Sequence, residues 1–492
     1  MAKGKGIKGI GLTKNPIKFG TDGWRGIIAQ DFTFDNVRAC AQGVADYLKG
    51  AGLAGRGLII GYDTRFASED FARAAAEVVA ASGIKVYLCP GATPTPVISY
   101  GVLAKKTGGA IIITASHNPA NWNGFKYKNE AGSSAPPRVT TEIEKRISRT
   151  LTSGKINHIP LAQALDQRLV QYLDLAPLYV KQLDRLVGLN RLRQAKLKVI
   201  VDSMYGAGAG YFKTLLDGGT LKLIEINGEC NPLFPGIQPE PIAANLAKLS
   251  ALVKRQKADV GLATDGDGDR IGIVDEKGVF LTQLQVFALL CLYLLEVRKE
   301  RGAMVKTITT TTMLDRLGEI YNVPVYETKK VGFKYVAEKM MELKMMKRDA
   351  LIGGEESGGY GFRGHVLERD GILSGLYFID FMLKTGKTPS QLLDYLYRKV
   401  GPHHYQRQDI NFSEDQRPAI IKRISDNLPQ SLDGVKVAKQ DTTDGFRLIL
   451  ADSSWLLIRF SGTEPLLRIY AESDRPARVE RLLELGREMA GV

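Results

Sequence analysis

Short apolar runs alternate with amphipathic stretches along most of the chain. The run Ala110–Ile113 contains three consecutive isoleucines and ends abruptly at polar residues, which predicts a buried strand. Similar runs lie at 57–61 and 84–88, and the alanine-rich stretch 71–81 between them has a helical pattern. This alternation predicts βαβ units, in which a mixed or parallel sheet carries helices on both faces.

Two further cycles of the same kind follow. The second contains the glycine-rich segment Tyr205–Gly210, and the third begins with a long apolar helix that is too short to span a bilayer. Their predicted elements are strands at 196–202, 222–226, 306–312, 325–328 and 351–354 and helices at 242–256 and 281–299. The three cycles predict three loosely similar α/β units.

After residue 400 the pattern changes to short strands separated by polar turns, closed by an amphipathic helix at 476–489. This predicts a smaller α+β unit. The predicted division of the chain is a flexible arm at 1–16, α/β domains at 17–155, 156–280 and 281–400, and an α+β domain at 401–492.

The chain has 492 residues, which is too long for a single core. Its 67 Lys and Arg exceed its 53 Asp and Glu, giving a formal charge of +14, and this excess suits an anionic ligand. The basic residues are spread out rather than gathered in a stripe, so a solvated basic surface is favoured over a nucleic-acid site.

Two features predict a cytoplasmic protein. The four cysteines form no CxxC pair and lie in or beside apolar segments, as is typical of reduced thiols. The first 16 residues are rich in Lys and Gly and have no apolar core, so no signal peptide is predicted. We expect no membrane or nucleic-acid partner, and a monomer or small homo-oligomer.

The most informative loop is Thr114–Pro119, which directly follows the strand 110–113. It places Ser116 at the end of a strand, where a hydroxyl can act as a nucleophile or carry a phosphate. Taken alone, the loop is equally compatible with a serine that caps a turn.

A second loop, Asp265–Arg270, has three carboxylates at alternate positions. The two glycines between them allow the backbone to curl, and crowded carboxylates call for a cation. Mg²⁺ fits an oxygen-only site that also touches a phosphate, and Arg270 can hold an anionic substrate. An EF-hand is the rival interpretation because Glu276 is the twelfth residue, but its sixth residue is Arg270 and its flanks have strand patterns.

Two more loops follow apolar strands. Gly353–Gly359 places Glu355 and Ser357 on one side of an extended segment, where they could bind sugar hydroxyls. Arg459–Pro465 combines an arginine, two hydroxyls and a glycine, which suits a phosphate. It lacks the lysine of a P-loop. Taken alone, each loop could also be an ordinary polar turn.

Together these loops make the chain resemble the α-D-phosphohexomutase family, which includes phosphoglucomutases and phosphomannomutases. The resemblance runs in order from Gly20 to Pro465. Its motifs are GTDGWRG, TASHNP, NGFKY, DGDGDR, GEESGG and RFSGTEP. It implies four domains around a central cleft, three with a mixed α/β core and a last α+β domain.

The resemblance also implies site residues. Ser116 would be the phosphoserine, Lys126 the general acid/base and His117 an orienting residue, with Arg25 and Arg270 supporting phosphoryl transfer. The Mg²⁺ ligands would be a phosphate oxygen on Ser116 and the carboxylates of Asp265, Asp267 and Asp269. Substrate would contact Arg270, Lys334, Glu355 and Ser357, and its distal phosphate would contact Arg459, Ser461, Gly462 and Thr463.

The implied activity is interconversion of hexose 1-phosphate and hexose 6-phosphate through the phosphoserine and a hexose 1,6-bisphosphate. The GEESGG loop favours a phosphoglucomutase, and phosphomannomutase or dual activity is the close alternative. An amino-sugar mutase, a sugar-bisphosphate synthase and a non-catalytic sugar-phosphate-binding protein remain as further alternatives.

Overall fold

The computed structural model describes residues 17–20, 22–461 and 466–492. The predicted arm 1–16 therefore lies outside the described residues. Within them, four sheets follow one another along the chain. The first three are mixed and carry helices, which confirms the predicted α/β class.

The first sheet has six strands. They are β1 (Trp24–Ile27), β2 (Leu58–Tyr62), β3 (Val86–Leu88), β4 (Ala110–Ile113), β5 (Trp122–Lys128) and β6 (Val170–Tyr172). Its helices are α1 (Phe34–Gly50), α2 (Ser68–Ala81), α3 (Thr95–Lys105), α4 (Pro137–Ser153) and α5 (Leu161–Asp166). The spatial order is β1-β5-β4-β2-β3-β6. Because β6 pairs in parallel with β3, this sheet extends past residue 155 into the range predicted for the second domain.

The second sheet has the order β11-β10-β9-β7-β8. Its strands are β7 (Lys198–Asp202), β8 (Lys222–Ile226), β9 (Val260–Thr264), β10 (Ile271–Val274) and β11 (Phe280–Leu281), with helices α6 (Ala176–Val187), α7 (Leu189–Arg193), α8 (Tyr211–Leu216) and α9 (Ala247–Gln256). The acidic loop 265–270 joins the antiparallel strands β9 and β10. Strands rather than helices flank it, which excludes the EF-hand.

The third sheet has the order β13-β12-β14-β15. Its strands are β12 (Ala303–Thr307), β13 (Val325–Thr328), β14 (Ala350–Gly354) and β15 (Tyr360–Phe362), with helices α10 (Gln283–Leu292), α11 (Met313–Tyr321), α12 (Phe333–Met345), α13 (Gly371–Thr385) and α14 (Pro389–Val400). The predicted strand 306–312 is wrong, because β12 ends at Thr307. Beyond it the threonine hydroxyls form local bonds, with Thr310 donating to the Thr307 carbonyl.

The fourth sheet is antiparallel, in the order β16-β21-β20-β19-β18-β17. Its strands are β16 (His404–Asn411), β17 (Ser431–Leu432), β18 (Val435–Asp441), β19 (Phe446–Leu450), β20 (Trp455–Phe460) and β21 (Leu466–Ser473), with helices α15 (Arg417–Asp426) and α16 (Pro476–Ala490). This confirms the predicted α+β class of the last unit. The sequence analysis missed β16 and β21.

One apolar core continues through the first three units. It includes Ile112 of β4, Leu262 of β9 and Leu373 of α13, all fully buried. The fourth unit has a separate core around Leu456 and Ile469. The loops at the ends of the first three sheets are therefore held in fixed positions by shared packing. No helix among the described residues is long and apolar enough to cross a membrane.

Candidate active site

Ser116 lies in the loop after β4 and is 1% exposed. Its φ of +54° is left-handed, a conformation that costs a non-glycine residue about 1–2 kcal/mol. Two bonds fix it there: its N–H donates to Thr114 Oγ1 at 2.8 Å, and its Oγ donates to Asp265 Oδ2 at 2.8 Å. The hydroxyl is thus directed at the acidic loop of the second unit.

The acidic loop gathers its three carboxylates as predicted. Asp265, Asp267 and Asp269 are completely buried, and one ligand oxygen from each lies within 4.8 Å of the others. The loop closes because Asp265 Oδ1 accepts the N–H groups of Asp269 and Arg270 at 3.0 and 3.1 Å. Burial and the two neighbouring carboxylates raise the pKa of Asp265 well above its usual range.

This donor set fits a hard divalent cation. Asp267 Oδ1 and Asp269 Oδ1 are buried and have no hydrogen-bond partner among the described residues, although such oxygens are almost always satisfied. An oxygen-only cluster of this charge is suited to Mg²⁺. Asp265, Asp267 and Asp269 would hold the ion beside Ser116 Oγ.

Lys126 of β5 lies between two of the loops. Its Nζ is 2.7 Å from Asp22 Oδ2 and 2.8 Å from Asp267 Oδ2, and the side chain is 1% exposed. Burial disfavours the ammonium, but the surrounding carboxylates outweigh burial and raise the pKa of Lys126. Lys126 is therefore a buried cation beside Ser116 and the metal cluster.

Arg369, which the sequence analysis missed, joins the first three units. It is 4% exposed and makes ion pairs with one carboxylate from each of the first two units and two from its own. These partners are Asp22, Asp269 at 2.8 Å, Glu355 at 3.2 Å and Glu368 at 3.3 Å. Arg369 needs space at Gly359, where an added Cβ would lie 2.3 Å from its Cδ.

Asp22, Lys128 and Glu368 complete this network and were also missed. Lys128 Nζ lies 3.1 Å from Asp22 Oδ1 and 2.7 Å from Glu368 Oε2. Burial tends to raise the pKa of Asp22, but Lys126, Lys128 and Arg369 lower it well below its usual range. The one available signal was that Asp22 lies inside the GTDGWRG motif that drew attention to Arg25.

Glu355 and Ser357 lie together in the loop after β14. Ser357 Oγ donates to Glu355 Oε1 at 2.7 Å, and Arg369 Nη1 lies 3.2 Å from the same oxygen. Arg369 therefore links this predicted sugar-binding pair to the metal cluster through Asp269. Burial raises the pKa of Glu355.

Three predicted residues surround the serine loop. His117 Nδ1 is 3.3 Å from Ser116 Oγ, and burial together with Arg270 and Arg25 lowers the pKa of His117 well below its usual range. Arg25 of β1 donates to Asn118 Oδ1 at 2.5 Å. Arg270 is 6% exposed and pairs with Glu240 at 3.1 Å.

The remaining predicted residues lie further from Ser116. Lys334, at the start of α12, donates to the Gly20 carbonyl at 2.9 Å. Arg459, at the end of β20, donates to Asp444 Oδ2 at 3.1 Å, and the same oxygen accepts the Val331 N–H at 3.0 Å. No hydrogen bond among the described residues joins Arg459 to the group around Ser116. Ser461 follows β20, whereas Gly462 and Thr463 lie outside the described residues.

Four parts of the chain match the four domains of one family. Residues 16–153, 177–278 and 283–400 match phosphoglucomutase/phosphomannomutase alpha/beta/alpha domains I, II and III, and residues 413–487 match the C-terminal domain of the same family.

Whole proteins match over nearly their full length. A phosphoglucomutase/phosphomannomutase of Thermococcus kodakarensis is 31% identical over 469 residues, 95% of this chain and 97% of the relative. A protein of Methanosphaera stadtmanae named a probable phosphoglucosamine mutase is 31% identical over 474 residues, 96% of this chain and 98% of the relative.

A solved structure agrees. A crystal structure from Thermus thermophilus, named after phosphomannomutase, is 34% identical with a TM-score of 0.81, covering 97% of this chain and all of that one. Members of this family are isomerases that transfer phosphate intramolecularly. The chain belongs to the phosphoglucomutase/phosphomannomutase family of α-D-phosphohexomutases.

Proposed function

We propose that the protein is a Mg²⁺-dependent phosphoglucomutase that interconverts glucose 1-phosphate and glucose 6-phosphate in the cytoplasm. The observation that carries the proposal is the 2.8 Å bond between Ser116 Oγ and Asp265 Oδ2, inside a buried carboxylate cluster with Lys126 beside it. A hydroxyl held among a cation and metal-binding carboxylates suits a phosphoryl carrier.

Asp265, Asp267 and Asp269 would hold Mg²⁺, together with a phosphate oxygen on phosphorylated Ser116. Bound Mg²⁺ supplies positive charge that offsets these carboxylates and the oxygens of the transferring group. Arg25 and Arg270 add further cationic charge around the serine loop. His117 keeps that loop oriented through its contact with Ser116.

The proposed reaction has two half-reactions. In the first, the bond between phosphorus and Ser116 Oγ breaks as a sugar hydroxyl oxygen bonds to phosphorus, giving a hexose 1,6-bisphosphate. The sugar hydroxyl loses one proton and Ser116 Oγ gains one. We assign the transfer of this proton to Lys126 Nζ, which ends the step in the protonation state in which it began.

The bisphosphate then turns within the site and returns its other phosphoryl group to Ser116. Glu355 and Ser357 are proposed to bind sugar hydroxyls, and Arg459, Ser461, Gly462 and Thr463 to bind the distal phosphate. Lys334 is proposed to contact substrate from the third unit. Because one phosphate site must accept both orientations, sugar contacts near the middle of the ring are favoured.

The names of the relatives favour two alternative substrates. The Thermococcus kodakarensis relative is named for glucose and mannose phosphates, and the Methanosphaera stadtmanae relative for glucosamine phosphate. Mannose 1-phosphate and glucosamine 1-phosphate are therefore the competing substrates for the same site.

A direct assay tests the proposal. The full-length protein is given the 1-phosphates of glucose, mannose, glucosamine and N-acetylglucosamine, each with Mg²⁺ and a trace of the matching 1,6-bisphosphate, and the 6-phosphate formed is measured. We expect the highest kcat/KM with glucose 1-phosphate. A higher kcat/KM with another sugar would reassign the substrate, and no turnover of any sugar would refute the mutase proposal.

A further inference from the structure

One buried side chain holds the backbone around Ser116. Arg65 follows β2, is 3% exposed, and donates to four carbonyl groups of the serine loop. The acceptors and distances are Ser116 at 2.7 Å, Asn118 at 2.6 Å, Pro119 at 2.8 Å and Trp122 at 3.0 Å. These bonds use both terminal nitrogens of the guanidinium, so the group holds the loop from Ser116 to Trp122 at several points.

The guanidinium is itself fixed by Asp63. Arg65 Nε lies 3.2 Å from Asp63 Oδ2, and both side chains are almost completely buried. Asp63 Oδ2 also accepts a 2.5 Å bond from Thr114 Oγ1, the atom that accepts the Ser116 N–H. Asp63 and Arg65 therefore hold the serine loop at its N–H side and at its carbonyl side.

The second unit contacts the same group. The guanidinium of Arg65 lies 5.0 Å from the centre of the Phe234 ring, within the range of a cation–π contact. Four residues further on, Gln238 Nε2 donates to the His117 carbonyl at 2.9 Å. The loop that carries Phe234 thus contacts both Arg65 and the serine loop.

We propose that Arg65 is a positioning residue for phosphoryl transfer: it holds Ser116 in its left-handed conformation so that Oγ faces Asp265. The proposal rests on the proposed function of Ser116 as phosphoryl carrier. Ser116 at φ +54° is a conformation that persists only where its surroundings over-determine it, and Arg65 supplies four of the bonds that do so. Lysine keeps the charge but lacks the planar fork that reaches several carbonyls at once.

The test is single-turnover phosphorylation of Ser116 by glucose 1,6-bisphosphate with Mg²⁺, followed by intact-protein mass. We expect Arg65→Lys to lower the transfer rate about 10²-fold, because misplacing a reacting group by about 1 Å costs that much. The concentration of bisphosphate at half-maximal rate and the affinity for Mn²⁺ should change less than about threefold, since no hydrogen bond among the described residues joins Arg65 to the three metal-binding carboxylates. Arg73→Lys, an exposed change on α2, is the matched control.

A second variant keeps the test decisive if Arg65→Lys unfolds. Phe234→Leu retains the four hydrogen bonds but removes the ring beside the guanidinium, and we expect the transfer rate to fall about threefold to tenfold. A folded variant of either kind that transfers as fast as wild type would overturn the role of Arg65, as would loss of Mn²⁺ binding in proportion to the rate. If wild type itself is not phosphorylated at Ser116, the proposed function fails instead.

Discussion

Ser116 Oγ donates a hydrogen bond of 2.8 Å to Asp265 Oδ2, a residue 149 positions later in the chain. The bond joins the loop after β4 in the first sheet to the loop after β9 in the second. The proposed nucleophile and the proposed metal cluster therefore form one site only because the two sheets pack together. Close packing supports this, since a Cβ at Gly266 would lie 2.3 Å from the Ser116 carbonyl oxygen.

Ser116→Ala should abolish turnover while leaving the fold intact. The change removes the oxygen that is proposed to carry the phosphoryl group, and we expect kcat to fall at least about 10³-fold, as for other lost nucleophiles. The buried site loses only a small group, so the melting temperature should stay close to that of wild type. A coupled assay for glucose 6-phosphate measures the effect, with the exposed Ser153→Ala on α4 as control. Wild-type rates in Ser116→Ala would remove Ser116 from the mechanism.

Asp267→Asn should weaken metal binding without changing the shape of the loop. It removes one of the three buried charges proposed to hold the cation and leaves a neutral amide in place of the carboxylate. We expect the Mn²⁺ affinity, measured by titration, to fall at least about tenfold, and the Mg²⁺ concentration needed for activity to rise. Asp217→Asn, at an exposed position of the second unit, should bind Mn²⁺ like wild type. Equal affinities for Asp267→Asn and wild type would argue against a metal at this loop.

The local elements were predictable where the pattern was strong. The strands Ala110–Ile113, Ile271–Val274 and Val325–Thr328 have the predicted bounds, because each is an apolar or β-branched run with clear ends. The strand β16 was missed because it lies at the edge of the last sheet and half its residues are exposed, so its sequence HYQRQDIN has no apolar face.

The charged network was not predictable for a different reason. Asp22 and Arg369 are 347 positions apart, and nothing in either local sequence indicates the other. Sequence reasoning found the loops that leave the strand ends, and with them Ser116 and the three aspartates. The buried partners that hold these loops, including Arg65 and Lys128, become visible only when the sheets are packed together.

Arg369→Met should destabilise the first three units as well as lower activity. The side chain is buried with four carboxylates around it, and removing one partner of a buried ionic group costs about 3–5 kcal/mol. We expect the free energy of unfolding in urea to fall by this amount. The control is Arg363→Met, since the side chain of Arg363 is 30% exposed and pairs with Glu300, so its loss should cost about 1 kcal/mol or less. Similar losses for both variants would contradict the central role of Arg369.

Glu276→Gln should show a stability loss that depends on pH. Glu276 follows β10, and its carboxylate accepts bonds from Thr388 Oγ1 at 2.9 Å and the Ser390 N–H at 3.2 Å at the start of α14. Burial tends to raise the pKa of Glu276, but the hydrogen bonds from Ser390 and Thr388 lower it below 4.5. Because the pKa is lower in the folded chain, the carboxylate stabilises the fold above the unfolded pKa, and this contribution is lost as pH falls through the folded pKa.

At pH 7 we therefore expect Glu276→Gln to reduce the free energy of unfolding by about 0.5–1 kcal/mol, a value kept small by solvent screening at this partly exposed site. The difference from wild type should shrink steadily below about pH 4, where the wild-type carboxylate also becomes neutral. Urea unfolding at a series of pH values measures both, with Glu319→Gln on the exposed face of α11 as control. A difference that stays constant from pH 7 to pH 3 would show that the charge of Glu276 does not stabilise the start of α14.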